Sequence, residues 1–184
     1  MYLYYRNASL ETAAAELVLL VAGFQTQLLN LEFVSNELYL CLEDDGLYVY
    51  SAQFKPLNLK HFYSDFIAKR KPAIKREILI QAINLRATAD NLIYGLDTTA
   101  GLGRDAILMS LAGYRITMLE NNPYLAVVLN YLCIEFAVQL PFLEVVYSDN
   151  LTYLHESNKV YNLIYLDPMF NDGKQALKKK DMQL

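Results

Sequence analysis

Leu92-Ile93-Tyr94-Gly95-Leu96-Asp97-Thr98-Thr99-Ala100-Gly101-Leu102-Gly103-Arg104-Asp105 is the stretch on which the reading of the whole chain turns. It opens as a short apolar run, bends through two glycines and passes into Ala106-Ile107-Leu108-Met109-Ser110-Leu111-Ala112-Gly113, which is apolar at helical spacing. Strand, tight turn and helix in that order open a nucleotide-binding βαβ unit. Gly101 and Gly103 are expected to let the backbone pass close to a ligand where a Cβ would clash. Gly113 fits the left-handed position that closes a helix. The pattern is Asp-x-x-x-Gly-x-Gly with Ala106 at the third small position, which departs from the dinucleotide fingerprint Gly-x-Gly-x-x-Gly.

Working outward, Tyr114 to Leu119 reads as a second buried strand ending on Glu120, 17 residues after Gly103. At about that spacing an acidic side chain accepts from ribose hydroxyls. Asn122 and Pro123 read as N-cap and first residue of an apolar helix that runs from Tyr124 to about Ala137. Phe142 to Tyr147 is a third strand, followed by Ser148-Asp149-Asn150, and Val160 to Leu166 is a fourth, ending on Asp167-Pro168-Met169-Phe170. Right-handed crossovers bring Asp97, Glu120, Asp149 and Asp167 to one edge of the sheet. An acidic residue ahead of the glycines is the order of an S-adenosylmethionine site. A nicotinamide dehydrogenase is disfavoured by that order and by the lack of a catalytic His, Tyr or Lys.

Asp167-Pro168-Met169-Phe170 resembles the Asp/Asn-Pro-Pro-Tyr tetrapeptide of methyltransferases that modify exocyclic amino groups of bases. Such a nitrogen is a poor nucleophile because its lone pair is delocalised into the ring. Asp167 and a backbone carbonyl accepting its N–H bonds would hold it and localise the lone pair. Pro168 stiffens the turn and needs no partner for its own nitrogen. Phe170 offers a face for an extruded base, with stacking worth about 1–3 kcal/mol. Catalysis would be chiefly orientation, without a metal.

Asp-Thr-Thr-Ala-Gly-Leu-Gly-Arg-Asp-Ala (97–106), Met-Leu-Glu-Asn-Asn-Pro (118–123) and Tyr-Leu-Asp-Pro-Met-Phe (165–170) together resemble the RsmJ family. Lys178-Lys179-Lys180-Asp181-Met182 is similar to its Lys-Lys-Glu-Met. The resemblance implies a methyltransferase that acts on the exocyclic N2 of a guanine in 16S ribosomal RNA of the small subunit. It implies cofactor contacts at Arg104, Asp105, Glu120, Asn121, Asp149, Asn150 and Asp167, beside Asp97, Gly101 and Gly103 from the motif itself. Thr98 stands where the family has Ala, Asn121 where it has Arg, and Asp149-Asn150 where it commonly has a Ser pair. The basic segment Lys71 to Glu77 lacks the family's glycines. Family members also continue through further strands beyond the point where this sequence stops.

The expected fold is therefore α/β: a Rossmann-like class I methyltransferase sheet, incomplete at its C-terminal side, over residues 59–184. A small α+β unit over 1–58 precedes it. There Tyr2 to Tyr5, Gln27 to Phe33, Glu37 to Glu43 and Leu47 to Gln53 read as strands, Ala13 to Phe24 as a helix, and Asp44-Asp45-Gly46 as a hairpin turn. Asp65-Phe66-Ile67 lies in a helix broken by Pro72, and Lys75 to about Leu85 forms another. Apolar residues make up 54% of the 184 and charged residues 20%, enough for a substantial core. Net charge is −4, but Lys69-Arg70-Lys71 with Lys75-Arg76, and Lys174 with Lys178 to Lys180, are local basic patches. Cys41 and Cys133 read as buried reduced thiols, and the isolated His61 and His155 give no metal site. No stretch is long enough to span a membrane, so a cytoplasmic protein is expected, with small-subunit ribosomal RNA or the small subunit as partner. An open strand edge beside Asp167 points to marginal stability, an edge-strand homodimer or lost activity. The other functions in contention are an N-methyltransferase for another nucleobase and a truncated, non-catalytic S-adenosylmethionine-binding homologue.

Overall fold

The computed structural model describes residues 1–29, 37–88 and 90–167. The N-terminal part builds a five-stranded sheet from β1 (Tyr2–Tyr5), β2 (Gln25–Leu28), β3 (Tyr39–Glu43), β4 (Gly46–Ser51) and β5 (Phe54–Asn58), in the order β2-β1-β3-β4-β5. β1 pairs parallel with both β2 and β3, while β3, β4 and β5 form an antiparallel meander. Glu43 pairs with Gly46, so Asp44-Asp45 is a two-residue hairpin loop. Helix α1 (Glu11–Val18) covers this sheet through Ala14, Leu17 and Val18.

The second sheet positions the site. It contains β6 (Tyr94–Asp97), β7 (Arg115–Glu120), β8 (Leu143–Tyr147) and β9 (Leu163–Tyr165), in the order β8-β7-β6-β9 and parallel throughout. The chain lays down β6, then β7, then β8 to one side, and returns to the other side of β6 with β9. That is the Rossmann order 3-2-1-4, whose topological switch point falls between β6 and β9. The crossovers are α4 (Arg104–Leu111), α5 (Pro123–Glu135) and α6 (Asn150–Glu156).

Before this sheet come α2 (Leu59–Arg70), a 3-10 turn (Lys71–Arg76) and α3 (Ile78–Ile83). Ile116 and Met118 pack with Ile107 and Met109 of α4 and Leu129 and Leu132 of α5, all essentially inaccessible. One apolar cluster continues from these residues to Leu3, Leu40 and Leu47 of the first sheet. The two sheets are also joined by polar contacts. Asn130 Nδ2 donates to the Leu17 carbonyl at 2.9 Å, and Lys60 Nζ meets Glu135 Oε1 at 2.6 Å.

Several elements differ from the expectations above. α1 stops at Val18, not near Phe24, because the chain must turn to lay β2 beside β1; Gly23 (φ +80°) makes that turn, and Val21 and Phe24 anchor it in the core. β2 spans Gln25–Leu28, earlier than expected, and residues 30–36 lie outside those described. β5 was unanticipated. Its Pro56 argues against a strand, but β5 is a sheet edge, where a missing N–H is tolerated.

The helix expected over Lys75 to Leu85 divides at Glu77, whose backbone is extended and whose carboxylate receives Arg70 Nη1 at 3.0 and 3.2 Å. α6 also went unread in the sequence. Cys41 is buried as expected, whereas Cys133 is only partly so. Among the described residues no helix is long and apolar enough to cross a membrane, and no group of His, Cys, Asp and Glu could hold a metal.

Asn122 caps α5 as expected, its Oδ1 accepting from the Tyr124 and Leu125 amides at 2.9 and 3.2 Å. Asn122→Ala is expected to lower the free energy of unfolding by about 1 kcal/mol, read as a fall in the urea midpoint at unchanged slope.

Candidate active site at the strand ends

All four acidic residues stand at the carboxyl edge of the second sheet, in the spatial order Asp149, Glu120, Asp97, Asp167. Each reaches that edge for the same reason: a parallel strand ends there and its chain turns outward. The centre of the group is the turn after β6. Thr99 N donates to Asp97 Oδ1 at 3.0 Å, Thr99 Oγ1 accepts from the Asp167 amide at 2.8 Å, and Thr98 gives both its amide and its hydroxyl to the Tyr165 carbonyl at 3.0 Å. These bonds fasten the end of β9 to the glycine turn across the switch point.

Glu120 braces the turn from the other side. Its Oε2 accepts from the Gly101 amide at 3.1 Å and its Oε1 from the Asn122 amide at 2.7 Å. A carboxylate has about four lone-pair directions, so it can accept from further donors. Asp105, in the first turn of α4, accepts from the Tyr165 hydroxyl at 3.0 Å. Burial, and then the Asp105 carboxylate, hold the Tyr165 phenol well above its usual range. Asp97, Asp105, Glu120, Asp167 and Gly101 are thus brought together around the end of β6.

The other expected site residues lie farther out. Asp149 is exposed and caps α6, accepting from the Thr152 amide at 2.9 Å; Thr152 also keeps its carboxyl below the ordinary value. Asn150 is half-buried and Asn121 exposed. The Arg104 guanidinium lies over the Phe66 ring at 5.1 Å. Pro168 and Phe170 lie outside the described residues, as do the four C-terminal lysines.

The two glycines do different work. Gly101 has φ +53°, and a Cβ there would meet nothing nearer than the Thr99 carbonyl at 3.9 Å, so the space above it is open to a ligand. Gly103 has φ +74°, but its Cβ would stand 2.8 Å from Leu129 Cδ2 and 3.0 Å from Leu132 Cδ2. It is required by the packing of α5 against the turn, not by a ligand.

Asp97 is 1% exposed. Burial pushes its carboxyl up to about 7, and Asp105, Glu120 and Asp167 add to that; only the Thr99 N–H opposes it. Among the described residues none of these four carboxylates is ion-paired. An enclosed carboxylate group without its own cations favours a cationic ligand. Sulfonium and ammonium charges together with an adenosine, as in S-adenosylmethionine, fit this donor set and the open turn over Gly101.

The comparisons agree with this chemistry. Residues 25–184 match the family described as "Putative SAM-dependent methyltransferase", and the chain belongs to that family. It is 32% identical over 164 residues to the ribosomal RNA small subunit methyltransferase J of Francisella tularensis subsp. novicida, a match covering 85% of this chain and 66% of the relative. It is 31% identical over 169 residues to the protein of the same name from Shewanella loihica, covering 84% and 64%. The chain therefore spans about two thirds of the length of the curated relatives it matches.

In fold it is similar to a SAM-dependent methyltransferase from Neisseria gonorrhoeae, with a TM-score of 0.61, 16% identity, and coverage of 92% of this chain and 70% of that one. The Rossmann-like fold and the S-adenosylmethionine cofactor expected from the sequence are thereby established at the level of the family.

Thr98, Thr99 and Tyr165 are the site residues that sequence reasoning did not single out. Thr98 appeared only as a departure from the family, and nothing in the periodicity marks a tyrosine that reaches across to Asp105.

Two outcomes are expected. Asp97 has a folded-state pKa above its ordinary 3.8, so its destabilising contribution is absent below about pH 4 and grows as pH rises through about 7. Asp97→Asn, which keeps the acceptor for Thr99 N, should raise the free energy of unfolding increasingly across that window, by on the order of 4 kcal/mol at its upper end; a pH-independent difference would refute the burial argument. Gly103→Ala should cost about 2–3 kcal/mol in chemical unfolding, from overpacking and a disfavoured φ.

Proposed function

We propose that the chain is an S-adenosylmethionine-dependent methyltransferase acting on the exocyclic N2 amino group of a guanine in small-subunit ribosomal RNA. The observation that carries this reading is the joining of the glycine turn to the end of β9. The bond from the Asp167 amide to Thr99 Oγ1, at 2.8 Å, fixes the first residue of Asp-Pro-Met-Phe against the cofactor turn. The names of the relatives support the substrate class, and the tetrapeptide supports an aryl amine as acceptor.

Asp97, Gly101, Asp105, Glu120, Asn121, Asp149 and Asn150 are the residues assigned to the cofactor, while Gly103 supports the turn by packing and Arg104 stands at its rim. When bound, S-adenosylmethionine supplies the electrophilic methyl group. Glu120 accepts from the ribose hydroxyls while keeping the Gly101 amide in place. Asp105, held by Tyr165, and Asp97, which has no ion pair among the described residues and is ionised more fully when a cation binds, offer negative potential to the cofactor's cationic end. Asp167 accepts an N–H of the guanine amino group and orients its lone pair, and Pro168 keeps that turn stiff. Phe170 provides the stacking face for the extruded base. Orientation in a charged, partly enclosed site is the main source of rate.

The direct test is transfer of labelled methyl groups to small ribosomal subunits that lack the modification, followed by mapping of the label. Label on guanine N2 supports the proposal; label on another base would replace the substrate, and no transfer by a chain that binds cofactor in calorimetry would replace the activity. Asp167→Ala is expected to lower transfer by at least about a hundredfold with cofactor binding retained, and an unchanged rate would refute the role given to Asp167.

A further inference from the structure

The site gathers carboxylates, yet the opposite sign of charge runs along its flank. α2 is fastened to the glycine turn by Tyr63, which is fully buried and donates its hydroxyl to the Leu102 carbonyl at 3.0 Å. One turn further along α2, the Phe66 ring carries the Arg104 guanidinium at 5.1 Å and that of Arg70 at 5.6 Å. The end of α2 and the following 3-10 turn present Lys69, Lys71, Lys75 and Arg76, all exposed. Neither these residues nor Arg104 has a carboxylate partner among the described residues. Glu77, the acidic residue that ends the segment, is taken by Arg70.

The 3-10 turn packs along α4, whose first residue is Arg104. The cations therefore form a strip that starts at the rim of the site and follows the helix away from it. It leads to a cavity of about 700 Å³ lined by Lys75, Gln81, Asn84, Arg86 and Tyr114 among others. α4 has eight residues and is about 12 Å long, the reach of a few nucleotides.

A merely solvated face would explain exposed lysines. It does not explain an arginine whose guanidinium is held over an aromatic ring, 5.1 Å from its centroid, at the edge of the site with its charge uncompensated. A guanidinium prepositioned by a cation–π contact is suited to bidentate recognition of a phosphate. On a chain of net charge −4, this strip is a local concentration of positive charge beside the site, which attracts phosphates.

We propose that this strip docks the RNA backbone flanking the modified nucleotide. Arg104 contacts the phosphate nearest the site, and Lys69, Lys71, Lys75 and Arg76 follow the strand toward the cavity. The inference rests on the ribosomal RNA reading above.

Its test compares two variants of equal charge change in the full chain: Lys69→Glu/Lys75→Glu within the strip, and Lys55→Glu/Arg115→Glu outside it. Binding to unmodified small ribosomal subunits is measured as salt is raised, and S-adenosylmethionine titration checks that each variant is folded. The strip variant should bind RNA roughly tenfold more weakly, with a salt slope shallower by about 1.5, and bind cofactor like the parent. The outside pair should change RNA binding far less. Equal loss in both pairs, or no loss in the strip pair while the parent binds, overturns the strip and leaves the function standing. A parent that binds cofactor but shows no salt-dependent RNA binding overturns both.

Discussion

The hydrogen bonds that Thr98 and Thr99 make across the switch point are the constraint on which the site depends. In a doubly wound sheet the two strands that flank the switch point send their chains to opposite sides, so a crevice opens between their ends. Left alone, those ends would be two loops free to move apart. Here the Tyr165 carbonyl, the Asp167 amide and the Asp97 carboxylate are all bound to two consecutive threonines. Four hydrogen bonds satisfy polar groups that would otherwise need water, and the geometry of the crevice is fixed before any ligand arrives.

The electrostatics follow from that geometry. Parallel strands ending together place Asp97, Glu120 and Asp167 within one group, and α4 adds Asp105 from its first turn. Burying Asp97 among like charges costs free energy in the empty chain, and the cost is relieved either by a proton or by a cationic ligand. The site is thus built to prefer positive charge, while Arg104 and the end of α2 beside it prefer negative charge.

Packing sets the remaining tolerances. Gly103 lets α5 approach the glycine turn closely enough for Leu129 and Leu132 to cover it. Gly95 does the same within the sheet, where a Cβ would stand 2.6 Å from Ile116 Cδ1. Tyr63 ties α2 to the same turn, so the N-terminal sheet and the glycine turn share one continuous core. Of the glycines in the motif, only Gly101 leaves its Cβ direction open.

By itself the sequence determined the order of strands β6 to β9 and of helices α4 and α5, the caps at Asn122 and Gly113, and the common edge of the four acidic residues. These follow from local periodicity and from the fixed hand of parallel crossovers, which are properties of the chain near each residue. The early part was read less well, because a short helix, an edge strand containing Pro56 and a break at Glu77 are imposed by partners distant in sequence. Only the tertiary structure decided that Gly103 serves packing, that Asp149 is engaged as a helix cap, that Tyr165 holds Asp105, and that α2 is tied through Tyr63 to the glycine turn. Each of these depends on two segments meeting across roughly 25 to 60 residues, or on which way one side chain points, and no local pattern encodes either.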